Sequence, residues 1–167
     1  MIRLTFLPLL LVVLSPRGYR QLDTTSNAYV HNKDSLAISF LIQEFYQSLT
    51  FKEAELNKLD RLPKFFTPHA MMISNIGEAP EFSTVKEWVL NAKQGLKKQQ
   101  FSIREEYELC ANTQIFGKVV QRFSTYKIRI VANRVERGIT GINAIQLIKQ
   151  NNQWLITSVA WIKRIRR

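Results

Sequence analysis

The sequence predicts one α+β domain: three N-terminal helices packed on the concave face of a strongly curved antiparallel sheet. Three observations carry this. Helical apolar spacing recurs in three segments before residue 100. The periodicity then changes to two. The strands that follow are long, 9–13 residues by pattern, and a small sheet of long strands must twist and coil. The apolar faces of both kinds of element then have to be buried against each other.

The helices come first. Asp34–Ser35 are suited to cap a helix carrying Leu36, Ile38, Phe40, Leu41, Phe45 and Leu49. A second, shorter helix spans Glu55 to Phe66, interrupted at Pro63. Thr67–Pro68–His69 end it, and Ala70 to Ser74 reads as a short strand. After a loop from Ile76 to Pro80, Ser83–Thr84 cap a third helix, with Glu87 in its first turn, bearing Val85, Trp88, Val89, Ala92 and Leu96.

Beyond Gln100, the residues Phe101, Ile103, Tyr107 and Leu109 share one strand parity, broken by Glu105. A long strand over Val119 to Val131 follows, then a charged turn from Ala132 to Gly138. A strand from Gly141 to Lys149, a turn at Asn151–Asn152 and a last strand from Trp154 to Lys163 complete the sheet. A curved sheet over helices leaves a small hollow, which is the route from pattern to function.

Composition narrows the classes. The 167 residues are 46% hydrophobic, enough for one domain with a core that needs neither disulfide nor metal. The single Cys110 rules out an internal disulfide and a CxxC pair. His31 and His69 have no metal-binding spacing, so neither a metal nor a cofactor is expected. The formal charge is +11. Arg3, Arg17 and Arg20 lie in residues 1–22 with no acid, so +8 belongs to the rest. Such a balance suits an acidic partner, anionic lipid or nucleic acid, or simply a soluble basic surface. The clusters Lys93, Lys97, Lys98 and Lys163, Arg164, Arg166, Arg167 carry no interleaved aromatics, so specific nucleic-acid binding is not expected.

Residues 1–18 combine Arg3 with an apolar run from Leu4 to Leu14, the pattern of a signal peptide or N-terminal hydrophobic segment. The expected location is periplasmic or extracellular if it acts as a signal, and membrane-anchored or cytoplasmic otherwise. Any membrane contact runs through this segment alone. Residues 19–33 read as a polar linker, and 34–167 as the domain.

Four segments carry a family resemblance: Arg61 to Ala70, with Phe65–Phe66–Thr67–Pro68–His69; Phe116 to Tyr126; Arg137 to Leu147, with Gly141–Ile142–Asn143; and Trp154 to Trp161. In this order they resemble the nuclear transport factor 2-like (NTF2-like) superfamily, including SnoaL-like proteins, whose cone-shaped cystatin-like fold is shared by isomerases, dehydratases, cyclases and non-catalytic binders. Fold therefore does not select function. The resemblance implies that a ketosteroid isomerase-type site would need a carboxylate where this chain has Ser74–Asn75 and another near Asn143–Ala144–Ile145. A scytalone dehydratase-like site would need histidines paired with a carboxylate, and His69 has no later partner.

The pocket-lining candidates are Tyr46, Phe66, Met72, Trp88, Asn143, Ile145 and Trp161. Tyr46 is either a core aromatic with its hydroxyl at the rim or a group aimed into the hollow. The two tryptophans read equally as core or ligand wall. Asn143 shares parity with Ile145 and Leu147, and a buried amide needs partners. Arg122, Ser124 and Tyr126 form a row that is either anion-binding or a solvated outer face. His69 reads as a surface histidine at a helix end, and Cys110 as a small strand residue. The expected activity is binding of a small apolar or acidic ligand without catalysis, in a homodimer joined through the outer sheet face. The alternatives are a SnoaL-like isomerase, cyclase or hydratase using Tyr46, His69, Asn143, Glu78, Glu81 or Glu105, and an interaction module with a basic surface.

Overall fold

The computed structural model of the chain describes residues 24–163, with side chains from residue 33 onward. Residues 1–18, expected to be a signal peptide or N-terminal hydrophobic segment, and the basic end at Arg164–Arg167 lie outside the described residues. No described helix is long and apolar enough to cross a membrane.

Helix α1 runs Thr24–Ser48. It begins ten residues before the expected cap at Asp34, so residues 24–33, expected as linker, are helical. No proline or glycine interrupts 24–48, and a polar stretch without breakers extends a helix that packing has already nucleated. Strand β1 is Phe51–Lys52. A 3-10 helix, Glu53–Phe65, takes the place of the expected α-helix, with Leu59, Leu62 and Phe65 buried and Pro63 inside it. Strand β2, Phe66–Ser74, starts at Phe66 and includes Thr67–Pro68–His69, so His69 is an exposed strand residue rather than a helix end.

After β3, Glu81–Thr84, helix α2 spans Val85–Lys98, with Thr84 as its cap and a capping box between Thr84 and Glu87. Glu87 N–H donates to Thr84 Oγ1 at 3.3 Å, and Thr84 N–H donates to Glu87 Oε2 at 2.8 Å. The Thr84 N–H, together with the Thr84 hydroxyl donating to the same Oε2 at 2.8 Å, holds the Glu87 carboxyl below the usual range. Thr84→Ala removes that hydroxyl and is expected to lower the thermal midpoint by a few degrees in calorimetry.

Four long strands follow: β4 Phe101–Phe116, β5 Val119–Ala132, β6 Val135–Gln150 and β7 Gln153–Lys163. The sheet order is β1-β4-β5-β6-β7-β2-β3. It is mixed, not purely antiparallel, because β2 lies parallel to β7. The parallel pairing follows from connectivity: β2 and β7 are far apart in sequence and meet without a hairpin to force opposite directions. Among the described residues the helical elements are α1, the 3-10 helix and α2, with β2 and β3 lying between the 3-10 helix and α2. The expected charged turn contracts to two residues, Asn133–Arg134, both at positive φ, and Asn151–Asn152 turn as expected.

Strand β4 departs from simple alternation twice. Phe101 and Ile103 face Ala132 and Val131, and Glu108 and Cys110 face Tyr126 and Thr125. One extra residue, Ser102 and then Leu109, is absorbed at each place, which makes each a β-bulge. Between them the inward set is Arg104, Glu106 and Glu108, while Tyr107 and Leu109 are exposed. The expected inward parity of Phe101, Ile103, Tyr107 and Leu109 therefore holds only at Phe101.

The core lies between the helices and the sheet's inner face. It joins Ile38, Ile42, Phe45, Leu59, Leu62, Val120, Ile145, Leu147 and Ile156, each nearly or fully inaccessible. Asp34 anchors the start of this region, accepting from Lys149 Nζ at 2.6 Å and from Trp154 Nε1 at 3.1 Å.

Candidate functional site

The inner face of β5 and β6 places polar atoms beneath the helices. Ser124 and Asn143 are neighbours across the two strands and both are buried. Tyr46, on the inward face of α1, reaches down between them. Its Oη lies 2.6 Å from Ser124 Oγ, and Asn143 Nδ2 donates to it at 2.9 Å. Loss from water dominates the Tyr46 hydroxyl and holds its pKa far above the usual tyrosine range, against the opposing pull of Ser124 and Asn143. It stays neutral at any physiological pH.

The row Arg122, Ser124, Tyr126 faces inward, not outward. By sequence the row reads equally as a solvated outer face. Partners decide otherwise: Ser124 meets Tyr46, and Arg122 is forked onto Glu108, with Nε–Oε1 at 3.0 Å and Nη2–Oε2 at 2.5 Å. Arg122 Nη1 also donates to Thr113 Oγ1.

Beside this row the bulged segment of β4 brings in a buried ion pair. Arg104 Nη2 donates to Glu106 Oε2, and Arg104 Nη1 donates to Leu49 O at 2.5 Å. Their side chains are 10% and 7% exposed. Thr50 Oγ1 fixes the strand locally, donating to Glu106 O at 3.0 Å and accepting from Glu106 N–H at 2.9 Å.

Two hollows flank these groups. The first has a volume of about 590 Å³ and lies between α2 and the sheet. Met72, Trp88, Asn143 and Trp161 line it, with Phe45, Val159, Ile128 and Tyr126. Trp88 and Trp161 meet edge to face, centroids 6.4 Å apart at 82°. The second, about 770 Å³, opens beside α1 and is bordered by Tyr46, Glu105, Glu106, Glu108 and Arg122. Glu106 borders both.

The structure thus brings four of the seven candidates, Met72, Trp88, Asn143 and Trp161, to one cavity and puts Tyr46 at the other. Phe66 and Ile145 are buried in the core and border neither; Phe66 packs edge to face on Phe45 at 5.9 Å. Of the alternative catalytic candidates, Glu81 sits on the first cavity's rim and Glu105 on the second's. Glu78 and His69 are exposed and border neither. Among the described residues no group of three or more metal-binding side chains occurs.

Sequence reasoning missed Arg104, Glu106 and Tyr126 as lining groups. Tyr126 is buried, its hydroxyl donating to Ile162 O at 3.3 Å, and burial pushes its pKa up to about 12. Below pH 10, the ordinary tyrosine value, this has no effect on stability. From 10 to 12 the unfolded chain ionises Tyr126 while the folded chain keeps it neutral, so stability falls as pH rises. Denaturant titrations are expected to be flat between about pH 7 and 9 and to show a declining midpoint above about 10. The decline should be smaller in Tyr126→Phe.

No family model and no curated protein sequence matches the chain. Solved structures do. An NTF2-like protein with a cystatin-like fold from Novosphingobium aromaticivorans superposes with TM-score 0.65 at 10% identity, covering 87% of this chain and 92% of that one. The chain has the NTF2-like fold. A scytalone dehydratase-like protein from the same organism matches with TM-score 0.67 at 11% identity, over 83% of this chain and 89% of that one. The Kfla4162 protein of Kribbella flavida gives 0.66 at 10%, over 82% and 95%. Within this fold, Ser74 and Asn143 both border the first cavity, and neither brings a carboxylate. The carboxylate at that cavity's floor is Glu106, arriving from β4.

Proposed function

We propose that this NTF2-like protein binds a small, largely apolar molecule in the first cavity and performs no reaction on it. The observation that carries this reading is an apolar space of about 590 Å³ walled by Trp88 and Trp161 and floored by a few fixed polar groups. Ligand sites are commonly about 300–1,000 Å³, mostly apolar, with few oriented polar atoms. A thermal-shift screen against small apolar compounds tests it. A ligand at about a hundred times its Kd adds about 2.7 kcal/mol of stability. Ala92 borders the cavity, and Ala92→Phe, which fills part of it, is expected to abolish the shift. Shifts that survive in the filled variant count against the reading.

A catalytic reading is favoured by one observation, the Glu106 carboxylate at the cavity floor within the same wall as Tyr126 and Asn143. A general base needs reach to the proton it takes. In this reading Glu106 removes a proton from a bound carbon acid, and hydrogen–deuterium exchange into a bound ketone, lost in Glu106→Gln, tests it.

We also propose a homodimer through the sheet's outer face. Leu109, Phe123, Ile142 and Ile162 are exposed there, and Ile142 and Ile162 are direct neighbours in the register. Light scattering on a size-exclusion column is expected to give twice the monomer mass, and Phe123→Lys with Ile142→Lys to give the monomer.

A further inference from the structure

Resting on the binding reading above, we infer that the first cavity selects neutral ligands bearing a hydroxyl group, and that Glu106 sets this preference by cancelling the charge of Arg104. The chain as a whole is strongly basic, +11, and would by composition attract anions. The cavity does not share that bias. Its charged lining groups are Arg104, Glu106, Glu81 and Lys163, two of each sign. Glu81 and Lys163 are exposed at the rim, so only the Arg104–Glu106 pair lies inside.

That pair is closed on itself. Arg104 spends Nη2 on Glu106 and Nη1 on Leu49 O. A ligand carboxylate entering here would leave water to compete with Glu106 for a guanidinium already held, and would bring a second negative charge into a space with no uncompensated cation. An ammonium group meets the mirror problem, because Glu106 is already paired. A neutral hydroxyl meets neither. Glu106 Oε1 and Asn143 Oδ1 accept no hydrogen bond among the described residues, which leaves acceptors for a ligand O–H.

Three probes of one shape test this: 2-naphthol, 2-naphthoate and 2-naphthylmethylammonium, titrated calorimetrically into the protein at pH 7. The expected result for the unmodified protein is naphthol binding at least about tenfold tighter than either ion. Glu106→Gln unmasks Arg104 and is expected to improve naphthoate binding about tenfold or more, with no gain for the ammonium; Arg104→Met is expected to do the reverse. A merely structural role for the pair would weaken all three probes together. Equal binding of naphthol and naphthoate by the unmodified protein overturns the inference and leaves the binding reading standing. Binding of none of the three overturns the binding reading itself. A folded Glu106→Gln or Arg104→Met without its reciprocal gain overturns the role given to Glu106. If a variant does not fold by circular dichroism, the other variant and the three-probe series on the unmodified protein decide.

Discussion

Gly141→Val is expected to unfold much of the protein's stability, by about 3 kcal/mol or more, and to lower the thermal midpoint by roughly 10 °C. A Cβ built at Gly141 would stand 2.5 Å from Tyr126 Cζ and closer still to the Tyr126 hydroxyl and to Ile162 O. The ring lies on the neighbouring strand, since Tyr126 pairs with Gly141 in the β5–β6 register. On the other side Gly141 pairs with Lys163 of β7. A side chain here must therefore displace either a buried aromatic or the β7 backbone. The tyrosine could turn away only by abandoning its hydrogen bond to Ile162 O. Gly138, three residues earlier on the same strand, has nothing within 4 Å of its would-be Cβ. Gly138→Val is the control and should be nearly neutral, a comparison that removes the general preference of strands for β-branched residues. Equal midpoints for the two variants would refute the close-packing account.

Splitting the Arg104–Glu106 pair is the second large effect. Arg104→Met or Glu106→Leu each leaves one buried charge without its partner, and each is expected to cost about 3–5 kcal/mol. The double variant Arg104→Met/Glu106→Leu should cost much less than the sum, because two apolar side chains of similar length replace two charges that no longer need each other. Leu49 O loses its donor in both Arg104 variants, so the double variant does not return fully to the parent stability. Denaturant unfolding of all four proteins measures the coupling. An additive result would mean the pair is more solvated than its exposure indicates.

Much of the fold was legible in the sequence, and the reasons are local. Thr84 and Glu87 announce α2 because capping chemistry depends on a three-residue spacing that any reader of the sequence can see. Asn151–Asn152 announce a hairpin because both positions require positive φ. The facing of Asn143 with Ile145 and Leu147 followed from unbroken alternation on β6. The start of α1 was not legible, because residues 24–33 lack apolar spacing. The 3-10 character of 53–65 was missed as well, because 3-10 and α-helices share cap signals and similar apolar spacing over so few turns.

The site was legible in proportion to how regular its strands are. Met72, Trp88, Asn143 and Trp161 line the first cavity. Arg104 and Glu106 did not look like cavity residues, since charges on a strand ordinarily face water and the apolar Ile103, Tyr107 and Leu109 offered a better inward set. Only the bulges at Ser102 and Leu109 reverse that choice, and neither has a glycine or proline to mark it. Arg122 was ambiguous for the same reason: its partner, Glu108, faces inward only because of the bulge before it.

The β4 bulges also mean that the strand holds two side-chain sets in two reading frames, one of Arg104, Glu106 and Glu108, and one that is apolar except for Glu105. Sliding the point of insertion by a residue or two would exchange a salt-bridged cavity floor for a greasy one without altering a single amino acid. Column-by-column comparison of this chain with a chain of the same fold that lacks these bulges pairs inward residues with outward ones along β4. Transferring pocket chemistry between them requires matching the bulges first and the letters afterwards.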